Sequence, residues 1–74
     1  MSPELFQGTV TSYMIQRHIR TKEDLRQHTT VGSNKTFLKY WKDPDLMPIG
    51  VFIQIMKALN IPLEDQMKIL KGGK

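Results

Sequence analysis

The chain contains no cysteine, so neither a disulfide nor a thiolate metal site can form, and its absence fits a reducing compartment. No apolar run approaches the roughly 18 residues needed to cross a bilayer, and the amino terminus lacks a charged-then-apolar leader pattern. The expectation is a cytoplasmic protein with no membrane partner. Histidine is scarce: His18 and His28 stand ten residues apart on different expected helices, and no carboxylate lies at metal-ligand spacing from either. No catalytic residue, metal site or cofactor is therefore expected, and the chain does not read as an enzyme. His18 reads as a helix-end cation and His28 as a half-buried packing residue. Repeats, low-complexity blocks and strand-like alternation are also missing. A chain of 74 residues suffices for one domain, which at this size buries about 60 to 65% of its unfolded surface and leaves little room for a cleft.

What the chain does have is basic charge in one place. Its formal charge of +4 is confined to the middle third. Residues 17 to 42 hold Arg17, Arg20, Lys22, Arg26, Lys35, Lys39 and Lys42 against Glu23 and Asp24, a net of +5, whereas residues 1 to 16 contribute −1 and residues 43 to 74 balance to zero. Such localisation points to a polyanion. The stretch from Ser33 to Lys42 ends that segment and has two faces at helical spacing. Phe37, Tyr40 and Trp41 fall on one side, and Lys35, Lys39 and Lys42 fall nearly opposite. An aromatic anchor behind a basic stripe suits a helix that reads nucleic acid, and it also suits a surface helix with a solvated lysine face.

Taken in order, Ser2 and Pro3 can start a helix, with Glu4 in its first turn. The periodicity allows one helix from Pro3 to about Ile19, but Gly8 can break it; the reading favours residues 1–8 as an arm or short extra helix and a main helix from Thr9 to Ile19. Thr21 caps a second helix from Lys22 to His28, anchored by Leu25. Val31 pins a turn in which Gly32 is free to take a positive φ, and Ser33 caps the next helix. Asp43 and Pro44 stop that helix. Pro48 opens a helix from Ile49 that is apolar nearly all round and ends at Asn60, the expected left-handed terminator. A last helix runs from Leu63 to Leu70, with Leu63, Met67 and Leu70 on one face, and residues 71–74 are expected to fray. Met14, Met47, Met56 and Met67 read as core filler. The expected fold class is all-α: a compact bundle of about five short helices containing a helix-turn-helix, occupying residues 9–70.

Read this way, residues Thr9 to Leu70 resemble the lambda-repressor-like helix-turn-helix family, which includes Cro-type phage regulators and many small bacterial repressors. The pattern is carried by Thr21 and Leu25, by Val31-Gly32-Ser33, by Phe37 with Tyr40 and Trp41, by Pro48, and by Ala58-Leu59-Asn60-Ile61. The chain departs from it at Arg26, where a small residue usually lets the two helices approach, at Thr30 in place of glycine, and at Gly32, one extra residue in the turn. The resemblance implies a transcriptional regulator in a bacterial or phage-infected host cell that binds double-stranded DNA, usually as a twofold dimer on half-sites about 34 Å apart. It implies base contacts from Ser33, Asn34, Lys35, Leu38 and Lys39, and phosphate contacts from Thr21, Lys22, Arg17, Arg26 and Lys42. The chemistry fits those places: Asn pairs bidentately with adenine, Lys donates to guanine and Leu meets a thymine methyl, good pairs giving about 1 to 3 kcal/mol of discrimination. Leu63, Met67 and Leu70 either close the core or face a second subunit in a homodimer. The competing reading is a module that keeps the helix-turn-helix shape but turns it against a protein partner such as a repressor or polymerase.

Overall fold

The computed structural model describes residues 1–72 and is all-α, with no strand among the described residues. Its elements are α1 (Pro3–Gln16), α2 (Lys22–Arg26), α3 (Asn34–Lys42), a single 3-10 turn (Pro44–Leu46), α4 (Ile49–Leu59) and α5 (Leu63–Lys71). They enclose one core of Phe6, Val10, Met14, Leu25, Val31, Phe37, Val51, Phe52, Ile55, Met56, Leu59, Ile61 and Ile69, with no polar or charged residue among the buried ones.

The amino-terminal residues are not a separate arm. The Leu5 amide donates to Ser2 Oγ, Pro3 takes the first helical position, and α1 runs through Gly8 without a break. Gly8 costs an α-helix about 1 kcal/mol relative to alanine. What outweighs it is Phe6, which is fully buried and meets the Trp41 ring edge-on at 5.7 Å and Phe52 at 6.5 Å between centroids. The helix stops at Gln16, short of Ile19, because His18 turns left-handed at φ 61°. The Ile19 amide then donates to Met14 O and the His18 amide to Ile15 O, which satisfies the last carbonyls of α1. Asn60 does the same for α4 at φ 53°, with the Ile61 amide donating to Met56 O.

Helix α2 ends at Arg26, before His28, which is exposed rather than half-buried. Gly32 does not take the left-handed backbone that only glycine adopts freely, and the turn into α3 is shaped by side chains instead. Thr29 Oγ1 donates to Arg26 O and accepts from the Val31 amide; the Thr30 amide donates to Gln54 Oε1 on α4; and Arg26 Nη1 donates to Val31 O at 3.0 Å.

Helix α4 is not buried all round. Val51, Phe52, Ile55, Met56 and Leu59 face the core, while Ile49 is 65% and Ile53 44% exposed. On α5, Ile69 enters the core, and the two polar residues beside it fix that orientation. Gln66 Nε2 donates to Ile61 O, and Asp65 accepts the Tyr13 hydroxyl at 2.6 Å. Leu63, Met67 and Leu70 consequently point outward, so they do not close the core and Met67 is not filler. Lys71 belongs to α5, and Gly72 lies against Leu5 so closely that an added Cβ would sit 2.6 Å from its Cδ2. Of the expected fraying tail, Gly73 and Lys74 lie outside the described residues.

Candidate nucleic-acid interface

Helix α3 is held from behind. Phe37 is almost wholly buried, Tyr40 and Trp41 are half-buried against the core, and Gln7 Nε2 on α1 donates to Trp41 O at 2.8 Å. Ser33 caps the front end, its Oγ accepting from the Thr36 amide at 3.4 Å. A helix fixed in this way presents the opposite arc to solvent. Asn34, Lys35, Leu38, Lys39 and Lys42 are all exposed along it and line one shallow groove with Thr36. Four of the five expected base-contacting residues, Asn34, Lys35, Leu38 and Lys39, thus share one accessible groove, while Ser33, exposed at the amino end of α3, lines a separate concavity with Thr30, Val31 and Pro48.

Helices α1, α2 and α5 each carry an acid in the first turn, where it favours the positive end of the dipole, but α3 has none and places Lys35 there instead. That arrangement costs the isolated helix a little stability and leaves its amino end distinctly positive. Lys39 and Lys42 in the last turn are favourable to the dipole.

A second cleft joins α3 to the start of α2. Asn34, Leu38 and Trp41 line it with Thr21, Lys22, Glu23, Asp24 and Arg20, and with Thr11 and Met14 of α1. Lys22 is half-buried, its ammonium 5.1 Å from the centre of the Trp41 ring, so the basic side chain is set next to α3 rather than left to wander. Thr21 Oγ1 accepts from the Asp24 amide and caps α2. Arg20 joins this surface although no motif marked it; only its membership of the basic third pointed there. Glu23 and Asp24 lie in the same cleft and offset part of its positive charge.

The expected phosphate contacts divide. Thr21, Lys22 and Lys42 stand at the edges of the α3 surface, and the two arginines each hold a backbone carbonyl. Arg17 Nε donates to Leu59 O at 2.9 Å, capping α4, and Arg26 is half-buried across the turn with its Nε enclosed and without a partner. Arg17 is exposed and only its Nε is engaged among the described residues, whereas Arg26 is half-buried across the turn. His18 and His28 are exposed on separate connecting segments.

Away from this face, Tyr13 and Asp65 tie α1 to α5. The carboxylate that accepts the phenol proton, together with burial, raises the Tyr13 hydroxyl above its ordinary value of 10.0. No helix is long and apolar enough to cross a membrane among the described residues. No family model matches the chain, and no curated protein or solved structure matches it, so fold and surface are read from this chain's own residues.

Proposed function

We propose that the chain is a sequence-specific double-stranded DNA-binding transcriptional regulator of phage or bacterial type that lays α3 in the major groove. The observation that carries this reading is the outward arc of α3. Asn34, Lys35, Leu38, Lys39 and Lys42 are exposed together on a helix clamped from behind by Phe37 and Trp41, with a lysine where the helix itself would favour an acid. Asn34, Lys35, Leu38 and Lys39 read base edges with Ser33, and Thr21, Lys22 and Lys42 meet phosphates on either side. Leu63, Met67 and Leu70 of α5 form the twofold dimer surface: in an antiparallel pairing about Met67, Glu64 of each copy approaches Lys71 of the other.

A salt titration of binding to mixed duplex fragments tests the reading. Affinity falls steeply with salt; Lys22→Ala weakens all sequences alike and lowers the salt slope by about 1, while Asn34→Ala relaxes preference for one site. A folded protein that binds no duplex at low salt, or binds independently of salt, sinks the DNA reading. The protein-partner alternative is favoured by one observation: with Arg26 half-buried and engaged across its turn, fewer cations remain for a phosphate backbone than the charge of residues 17 to 42 suggests.

A further inference from the structure

The cleft between the α1–α2 connection and α3 holds two cations that the fold itself does not consume. Arg20 is exposed, and it is the one arginine that neither holds a backbone carbonyl nor forms an ion pair among the described residues. Its backbone is nevertheless fixed on both sides. Ile19 packs against the core and its amide donates to Met14 O, while Thr21 Oγ1 accepts from the Asp24 amide. Lys22 also lacks an ion pair among the described residues, and its ammonium lies 5.1 Å from the centre of the Trp41 ring. An ammonium with one side on a ring keeps further N–H donors for an outside acceptor. The ring is itself held, since Phe6 meets it edge-on at 5.7 Å and Gln7 donates to the Trp41 carbonyl. Glu23 and Asp24 line the same cleft but pair with neither cation. Their charge offsets the pull of the cleft on a distant polyanion, so what Arg20 and Lys22 supply is contact rather than long-range steering.

We propose that Arg20 and Lys22 clamp one strand of a duplex's phosphate backbone, with Trp41 as the positioning residue that holds the Lys22 ammonium ready for it. The clamp rests on the reading of α3 as the major-groove helix, and adds to it a residue, Arg20, and a device, the Trp41 ring. Asn34 and Leu38 line the cleft together with Arg20, Lys22 and Trp41. A duplex seated with Asn34 and Leu38 at base edges therefore brings its backbone to the mouth of the cleft. A lysine side chain loose in water samples many rotamers, and ordering it against a phosphate costs affinity; a ring that already holds the ammonium removes that cost before the duplex arrives. Arg20 needs no such support, because its planar fork can meet two phosphate oxygens at once.

Trp41 is the chain's single tryptophan, so its ring can be altered alone in the full chain. Fluorinated tryptophan supplied during expression keeps the shape of the ring while drawing electron density off its face, which weakens its hold on a cation. Duplex affinity then falls about threefold, whereas the same labelling leaves the affinity of the Lys22→Met chain unchanged, there being no ammonium to hold. A ring that merely packed α3 would give the same loss with and without Lys22. Arg20→Ala lowers the salt slope by about 1 for every duplex sequence, and Arg20→Lys restores the slope at reduced affinity. Circular dichroism establishes that each chain is folded. Labelling that leaves affinity unchanged, strengthens it, or acts equally in the Lys22→Met chain overturns the positioning role, and an unchanged slope in Arg20→Ala overturns the clamp. These outcomes are read on a chain that binds duplex; a folded wild type that binds none at low salt removes the DNA reading itself, and the clamp with it.

Discussion

At the scale of single residues, Arg26 shows how a local departure from an expected pattern acquires a physical account. A long basic side chain stands where the two helices of the motif should approach closely, and the fold accommodates it by laying the guanidinium across the turn, where Nη1 donates to Val31 O. The turn that glycine would otherwise shape is held instead by Arg26, Thr29 and the Thr30 contact to Gln54. Arg26→Ala should therefore destabilise the fold by about 1.5 to 3 kcal/mol, the range for a hydrogen bond to a charged group whose loss leaves a carbonyl unpartnered. Urea unfolding measures it. The salt slope of duplex binding should be the same as in wild type, and a lowered slope with unchanged stability would return Arg26 to the phosphate contacts. His18 makes a similar point. Its position beyond α1 needs a left-handed backbone, a place where glycine or asparagine is the usual signal, and histidine gives little warning of it. Asn60 was legible for that reason and His18 was not.

At the scale of elements, capping and stopping residues were readable because their chemistry is local. Ser33, Thr21, Pro48 and Asn60 each stand within a residue of the boundary they imply. Orientation was harder, because it depends on partners far away in sequence. The spacing of α5 offers Leu63, Met67 and Leu70 as an obvious apolar face, yet the helix is turned so that Ile69 enters the core, and the choice is made by Tyr13 on α1 and the carbonyl of Ile61. The Tyr13–Asp65 pair also makes stability depend on pH. Because the folded phenol titrates above its ordinary value, the pair's contribution is complete below that value and is lost as pH rises through the folded one. Thermal melts between about pH 9 and 11 should show wild type losing stability more steeply than Tyr13→Phe, so that the gap between the two closes in alkali. A gap that stays constant across this range would mean that the hydroxyl contributes no proton-linked stabilisation.

For the whole molecule, the candidate surface and the core are one problem, because the helix that presents Asn34 and Lys35 is positioned by an aromatic cluster assembled from parts of the chain far apart in sequence. Phe6 lies in the stretch that periodicity left ambiguous, and its ring reaches both Trp41 on α3 and Phe52 on α4. Nothing near Phe6 in sequence reveals this, since the partners are supplied only when α1 crosses the bundle. The consequence is disproportionate for a chain of 74 residues. Phe6→Ala should cost about 3 to 5 kcal/mol, a large share of the roughly 5 to 15 kcal/mol that holds a domain together. Deletion of residues 1–8, harmless if they were an arm, should leave the chain unfolded at ambient temperature. Fluorescence of Trp41 during urea unfolding distinguishes the outcomes. In Phe6→Ala its emission should shift towards that of solvent-exposed indole and its midpoint should fall, while Gly8→Ala, on the outer side of the same helix, should leave the emission alone and raise the midpoint. If the truncated chain instead unfolds with the wild-type midpoint, α1 does not clamp α3, and the orientation of the proposed reading surface must come from α2 and α4 alone.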